Sequence, residues 1–185
     1  MSAKVIFGIL LAGVLSNNYA ILYFLGTGTV LQNSRPAKQS LVLGLGTTVV
    51  MLLCTLITWP INTCVLAQAE YLQTMAFMVV LIAVVELVHA LACKVLDGFC
   101  HADFVKFGIN SAVLGLCIQN TDLGLGEALI TALAVGIGFT LVLILYSRLL
   151  EEQWDEDAIP APFRGLPVSL LTAGMIALAL MALNF

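Results

Sequence analysis

Long intervals without a single charged side chain dominate this sequence of 185 residues. Three of these intervals cover residues 5–34, 39–69 and 128–147 and hold 30, 31 and 20 residues. A transmembrane helix needs roughly 20 consecutive apolar residues, so each interval can cross a bilayer. Charged residues make up only 10% of the chain and hydrophobic residues 61%, whereas an average soluble domain is about 25% charged. This composition excludes a soluble enzyme, a nucleic-acid-binding protein and a disordered chain.

Apolar segments alternate with charged residues along the whole chain and predict one all-α integral membrane domain over residues 1–185. Six segments lie near residues 5–25, 40–60, 72–93, 104–118, 128–147 and 166–184. The fourth is too short for a comfortable span and contains Gly108, Asn110 and Ser111. We therefore expect an interrupted or re-entrant helix there, with its irregular backbone enclosed by protein or by a wet cavity.

The basic residues predict how the six segments are oriented in the membrane. One side of the membrane receives the loops between segments 1 and 2, 3 and 4, and 5 and 6, which carry Arg35, Lys38, Lys94, Lys106, Arg148 and Arg164. The other side receives Lys4 alone. Because loops rich in Lys and Arg stay in the cytoplasm, both termini are expected on the non-cytoplasmic side.

The chain also repeats itself at an offset of 92 residues, which divides it into halves of about 1–93 and 94–185. Residues 18–22 (NYAIL) then align with residues 110–114 (NSAVL). At the same offset, Gly44, Gly46, Thr48, Val50 and Leu53 align with Gly136, Gly138, Thr140, Val142 and Leu145. Three helices per half is an odd number, so the halves must insert with opposite orientations. An inverted repeat of this kind is common in transport proteins.

Inverted repeats often place a site near the bilayer midplane, between interrupted helices. In this chain the interrupted segments are the first and the fourth, whose polar and small residues include Asn17, Asn18, Gly26, Thr27, Gly28, Asn110 and Ser111. Two interpretations are open. Unwound backbone and half-helix ends can face an ion or another charged centre, or the amides and glycines can serve only to hold helices together. For the Gly44/Gly46 and Gly136/Gly138 pairs, close helix packing is the expected role.

Seven short stretches of the chain resemble one known family. They are residues 17–18 (NN), 24–26 (FLG), 44–48 (GLGTT), 110–115 (NSAVLG), 135–139 (VGIGF), 160–165 (PAPFRG) and 171–175 (LTAGM). Over nearly its whole length the sequence resembles the small six-helix membrane subunits of the Rnf and Nqr complexes. Its arrangement is most similar to the A subunit of Rnf and to its E counterpart in Nqr.

The resemblance implies a membrane subunit of a complex in the prokaryotic cytoplasmic membrane. Such complexes couple electron transfer from ferredoxin or NADH to the translocation of Na⁺ or H⁺. The implied partners are a homologous membrane subunit of opposite orientation, flavin-bearing and ferredoxin-like subunits, and lipid, but no nucleic acid. Catalysis would then belong to the complex rather than to this chain alone.

The resemblance also implies two cysteine ligands to a [2Fe-2S] centre held midway through the membrane. The corresponding positions here are Gly28 and Ser111, so both thiols are absent. Since thiolates hold such clusters, we expect this chain to carry no cofactor or metal of its own. The centre is then lost, or supplied by a partner, or another cysteine substitutes for the missing ligands. Cys117, six residues beyond Ser111, is the best-placed substitute. The alternative is that the cysteines are small buried apolar residues.

Two ionisable residues, Glu86 and His89, lie within the third apolar segment. Counted from Lys94 at ~1.5 Å per residue, they lie about 12 Å and 7.5 Å along the helix. Ionisable groups at such depth often mark ion or proton paths. The pattern is consistent with a proton or cation relay, with a satisfied pair at a helix interface and with a contact to another subunit.

Three functional hypotheses follow. The first is a membrane subunit of an Rnf-like electron-transfer and ion-translocating complex. The second is a redox-inactive paralogue that retains the scaffold or the ion path of such a complex. The third is an inverted-repeat transporter of ions or small solutes that works alone.

Overall fold

The computed structural model describes Gly8 and residues 37–64, 70–95, 109–153, 160 and 163–182. Throughout these ranges the regular structure is helical, with no strand. The five helices are α1 (Ala37–Cys64), α2 (Gln73–Val95), α3 (Ser111–Gln119), α4 (Leu125–Gln153) and α5 (Leu166–Met181). Short 3₁₀ helices precede α2 (Glu70–Leu72) and follow α3 (Asn120–Asp122).

Three of the helices are long and apolar enough to cross a membrane, namely α1, α2 and α4. The apolar stretch of α5, Leu166–Ala179, is shorter. The prediction of an all-helical protein with membrane-length spans is therefore confirmed for the described residues. The predicted segment near 5–25 lies outside them apart from Gly8, so the count of six spans stays a prediction.

The helices extend beyond the charge-free intervals that predicted them. The segment near 128–147 became α4, which contains Glu127 near its start and Arg148 near its end. In the same way, α1 begins before Lys38. Long basic side chains can keep their charged ends in water while their stems lie along apolar surface, so a helix does not have to end where its first charge appears.

The core of the bundle is formed mainly by α1 and α4, which pack most extensively against each other. Of an 18-residue apolar stretch within each span, 50% is buried in α1 and 56% in α4, against only 22% in α2. Large side chains such as Met51, Phe77, Leu116, Phe139 and Tyr146 fill the shared core. The outward faces, above all that of α2, are apolar and exposed, as lipid or other helices require.

Glycine and threonine bring α1 and α4 into close contact. A Cβ added to Gly44 would lie 2.6 Å from Cγ2 of Thr140, and one added to Gly136 would lie 2.5 Å from Cγ2 of Thr48. The hydroxyls of Thr48 and Thr140 are 3.3 Å apart. The packing role expected for Gly44 and Gly136 is confirmed, because no larger residue fits at this separation.

These contacts also give the relative direction of the helices. Residue numbers rise from Gly44 to Thr48 along α1 while their partners fall from Thr140 to Gly136, so α1 and α4 are antiparallel. At the far end of α1, the indole N–H of Trp59 donates to the carbonyl of Leu123, 3.0 Å away, just before α4 begins.

Candidate functional site

Two of the residues predicted to form a midplane site lie where α3 begins. Asn110 is the N-cap of α3, and its side-chain oxygen accepts a hydrogen bond of 3.0 Å from the backbone N–H of Ala112. Its side chain is 4% exposed, whereas Ser111 is exposed. A buried N-cap satisfies one of the free N–H groups at a helix start, so Asn110 allows α3 to begin inside protein.

The other predicted residues of this site are Asn17, Asn18, Gly26, Thr27 and Gly28, and all five lie outside the described residues. A junction between the first and fourth segments therefore stays a prediction. The described part shows that α3 has nine residues and begins at Ser111, within the segment predicted to be interrupted.

Glu86 and His89 occupy the most exposed of the three membrane-length helices. Glu86 is exposed on α2 and His89 is half-buried. The apolar residues Ile82 and Leu87 are exposed beside Glu86. A carboxyl group in such surroundings needs a polar partner or water, so the outer face of α2 is a candidate for contact with another polar group. A relay through the two residues stays a prediction.

The cysteines of the described helices do not reproduce a cluster-binding set. Cys117 is buried in α3, where its thiol contacts the Cys54 thiol of α1 and the Thr58 hydroxyl. No group of three or more His, Cys, Asp or Glu residues that could hold a metal occurs in the described ranges. Ser111 provides a hydroxyl where a thiolate would be needed, which suits iron–sulfur chemistry poorly. These residues do not fit the [2Fe-2S] centre.

The structure adds a narrow cavity, lined by both polar and apolar side chains, that the sequence patterns did not predict. It lies among α1, α2, α3 and the 3₁₀ turn that follows α3. Its oxygen-bearing side chains are Thr55, Thr58, Asn62, Asn120 and Thr121, and Trp59, Phe77 and Cys117 complete the lining. One signal was available in the sequence: Thr55, Thr58 and Asn62 are spaced three and four residues apart, which places them on one face of a helix.

Known proteins resemble this chain over nearly all of its length. The family described as "Rnf-Nqr subunit, membrane protein" matches residues 6–185. A protein of Syntrophotalea carbinolica, named as the A subunit of an ion-translocating oxidoreductase complex, is 36% identical over 94% of this chain and 93% of its own length. Proteins of the same name from Shigella sonnei and Escherichia coli O1:K1 are each 33% identical over 92% of both chains.

These matches include the described helices and the segments outside them, and they agree with the apolar, membrane-length helices of the structure. The chain therefore belongs to the Rnf-Nqr family of membrane subunits.

Proposed function

We propose that this chain is a membrane subunit of an ion-translocating oxidoreductase complex, in which electron transfer drives Na⁺ or H⁺ across the membrane. The observation that carries the proposal is the match, over more than nine-tenths of both chains, to relatives named as the A subunit of such a complex. The buried, glycine-dependent packing of α1 against α4 suits a protein that provides a rigid membrane scaffold.

Purification through an affinity tag on this chain tests the proposal. We expect flavin-containing and ferredoxin-like subunits to copurify, together with a homologous membrane subunit of opposite orientation. Proteoliposomes containing the assembly should accumulate Na⁺ or H⁺ when electrons are supplied by NADH or reduced ferredoxin. A chain that purifies alone and transports a solute without electron transfer would contradict the proposal.

The proposed architecture consists of six spans arranged as two inverted repeats. It is supported by the contacts between α1 and α4. In the alignment at 92 residues, Gly44 corresponds to Gly136 and Thr48 to Thr140. The repeat therefore relates the Gly44–Thr140 contact to the Gly136–Thr48 contact, and the corresponding residues Thr48 and Thr140 contact each other. A two-fold axis through the crossing point of two antiparallel helices would produce this pattern, and inverted repeats are related by an axis in the membrane plane.

The proposed orientation has both termini outside the cytoplasm, in the cytoplasmic membrane of a prokaryote. It is supported by the basic residues in α1, in α4 and just before α5, which lie at one end of the helix bundle. Because α1 and α4 are antiparallel, the α1 end with Lys38 lies beside the α4 end with Arg148. Tyr146 donates a hydrogen bond of 3.4 Å to the carbonyl of Ser169, which brings the start of α5, next to Arg164, to the same end.

This chain is further proposed to supply no thiolate to an iron–sulfur centre, because Gly28 and Ser111 replace both ligands. The purified complex then contains no cluster with ligands from this chain. Restoring the thiols by Gly28→Cys and Ser111→Cys together should add iron and a [2Fe-2S] electron paramagnetic resonance signal if the partner retains its own cysteines. A wild-type cluster that disappears when Cys117 is changed to Ser would contradict this assignment.

A further inference from the structure

Two residues that line the narrow cavity each carry a buried oxygen atom without a hydrogen-bond partner. They are Oγ1 of Thr55 and Oδ1 of Asn120, on side chains that are 1% and 3% exposed. No other buried side-chain oxygen or nitrogen in the described ranges lacks a partner. Unsatisfied buried polar atoms are rare in native proteins because each forfeits its bonds to water. Two on one cavity therefore point to a ligand that both of them bind.

The cavity presents oxygen lone pairs, while the neighbouring hydrogen-bond donors are directed elsewhere. The amide nitrogen of Asn120 donates to the carbonyl of Ala128 at 3.3 Å, so the side-chain oxygen is the atom of this amide that lacks a partner. The hydroxyls of Thr58 and Thr121 donate to the carbonyls of Cys54 and Ile118, each at 2.7 Å. The oxygens of both hydroxyls keep acceptor capacity.

Two further polar side chains of the lining are engaged by neighbouring residues. The indole N–H of Trp59 donates to the carbonyl of Leu123, and Oδ1 of Asn62 accepts from Gln73 at 2.8 Å. Both atoms without a partner are oxygens, and an amide oxygen beside hydroxyl oxygens attracts a cation or a strong hydrogen-bond donor.

Charge and backbone geometry select a monovalent cation. None of the described residues that line the cavity is charged, and neutral oxygens compensate poorly for the lost hydration of a divalent ion. The nine-residue helix α3 ends at Gln119 with Asn120 as its C-cap, so the negative end of its dipole lies at the cavity. In transport proteins, half-helix C-termini of this kind coordinate Na⁺.

The narrowness of the cavity favours a small ion without its water shell. No water-sized sphere fits between the lining atoms. An ion bound there must exchange its hydration for protein oxygens, as ions do in selective pores. This favours Na⁺ and Li⁺ over K⁺.

We propose that Oγ1 of Thr55 and Oδ1 of Asn120 form a binding site for a dehydrated Na⁺ ion in the cavity among α1, α2 and α3. The cavity lies toward the end of α1 opposite Lys38, so in the proposed orientation the site is on the non-cytoplasmic side of the ion path. The claim that an ion bound there is being translocated rests on the proposed function.

The test uses the assembled complex, purified through this chain and reconstituted in proteoliposomes. Thr55→Val removes the hydroxyl without changing the shape of the side chain, and Asn120→Leu removes the amide. Each should raise the Na⁺ concentration for half-maximal electron-transfer-driven ²²Na⁺ uptake by about tenfold or more. Asn120→Asp should lower that concentration, because it adds a negative charge at the ion. Thr63→Val, at an exposed hydroxyl of the same helix, should change nothing.

Binding is checked separately from transport by thermal unfolding of the complex in NaCl, LiCl or KCl at equal ionic strength. Na⁺ and Li⁺ should raise the melting temperature of the wild type more than K⁺ does, and Thr55→Val should abolish the difference. If the wild type transports Na⁺ but Thr55→Val and Asn120→Asp leave the Na⁺ concentration for half-maximal uptake unchanged, the site is wrong and the proposed function stands. Coupling to H⁺ without any Na⁺ effect would also overturn the site, whereas absence of any ion coupling would refute the proposed function as well.

Discussion

Buried hydroxyl groups in this bundle mostly find partners within their own helices. Thr47, Thr48, Thr58, Thr140 and Thr172 each donate to a carbonyl three or four residues earlier. This bond is the usual solution for threonine inside an apolar helix. A buried threonine is therefore no sign of a ligand site, and Thr55 stands out because it lacks a partner. The sequence could place Thr55 on a polar helix face, but it could not show which hydroxyl would remain unsatisfied.

Glu86 permits a prediction at the same scale. If its carboxyl group carries protons or cations to or from a neighbouring protein of the complex, Glu86→Gln should lower electron-transfer-driven ion uptake by about tenfold or more, since the amide cannot exchange a proton or hold the same charge. Ion uptake and electron transfer are measured together in proteoliposomes, so that loss of coupling is distinguished from loss of turnover.

A matched control for Glu86 is available in Glu127→Gln. Glu127 lies in the first turn of α4, at a helix end rather than within a span, so its neutralisation should leave ion uptake near the wild-type value. Equal uptake in Glu86→Gln and wild type would rule out the relay. The alternative of a purely structural contact would appear as reduced copurification of partner subunits with the ratio of ions to electrons unchanged.

The crossing of α1 and α4 leads to a prediction at the scale of the element. An alanine at Gly44 would place its Cβ 2.9 Å from Cβ of Thr140, and Cβ cannot rotate away. The helices must separate, so Gly44→Ala and Gly136→Ala should each lower the free energy of unfolding by about 1–3 kcal/mol. Denaturant titration of the purified complex in detergent, followed by circular dichroism, measures this change.

The pairing of the contacts provides a sharp control. Thr140→Ala should partly rescue Gly44→Ala but not Gly136→Ala, whereas Thr48→Ala should do the reverse. Gly174→Ala in α5, where an added Cβ meets nothing within 4 Å, should be neutral or slightly stabilising because alanine favours helix. Rescue of both glycine variants by the same threonine variant would show that the two contacts are not specific.

The elements themselves were largely predictable, and their packing was less so. Charge-free intervals located α1 and α4, and an apolar segment that contains Glu86 located α2, because a bilayer imposes length and apolarity on each span separately. The repeat at 92 residues indicated which residues of α1 and α4 correspond. It could not show that Thr48 and Thr140 touch. The cavity was not predictable, since Thr55 and Asn120 come to line one cavity only through the packing of α3 against α1.

At the scale of the whole molecule, basic residues gather at one end of the bundle. Gln73 donates to Asn62 at 2.8 Å, so α2 starts beside the end of α1 and carries Lys94 back toward the end with Lys38. The α4 end with Arg148 lies there as well. Antiparallel packing thus collects basic residues that are far apart in the sequence, and the proposed orientation places this end in the cytoplasm.

The last prediction concerns which residues face each side of the membrane. Cysteine at Lys38 and at Arg164 should react with an impermeant maleimide only from the cytoplasmic side. The native Cys64 is exposed at the opposite end of α1 and should react only from the outside. Labelling of intact right-side-out and inverted vesicles, read by mass spectrometry with Cys93 and Cys100 changed to Ser, measures this directly. Cys54 and Cys117 are buried, so their labelling measures the background reaction in the same sample.

Two outcomes would contradict this arrangement. Reaction of Lys38→Cys and Cys64 from the same side would mean that α1 does not cross the membrane. Reaction of Lys38→Cys and Arg164→Cys from opposite sides would exclude the inverted repeat.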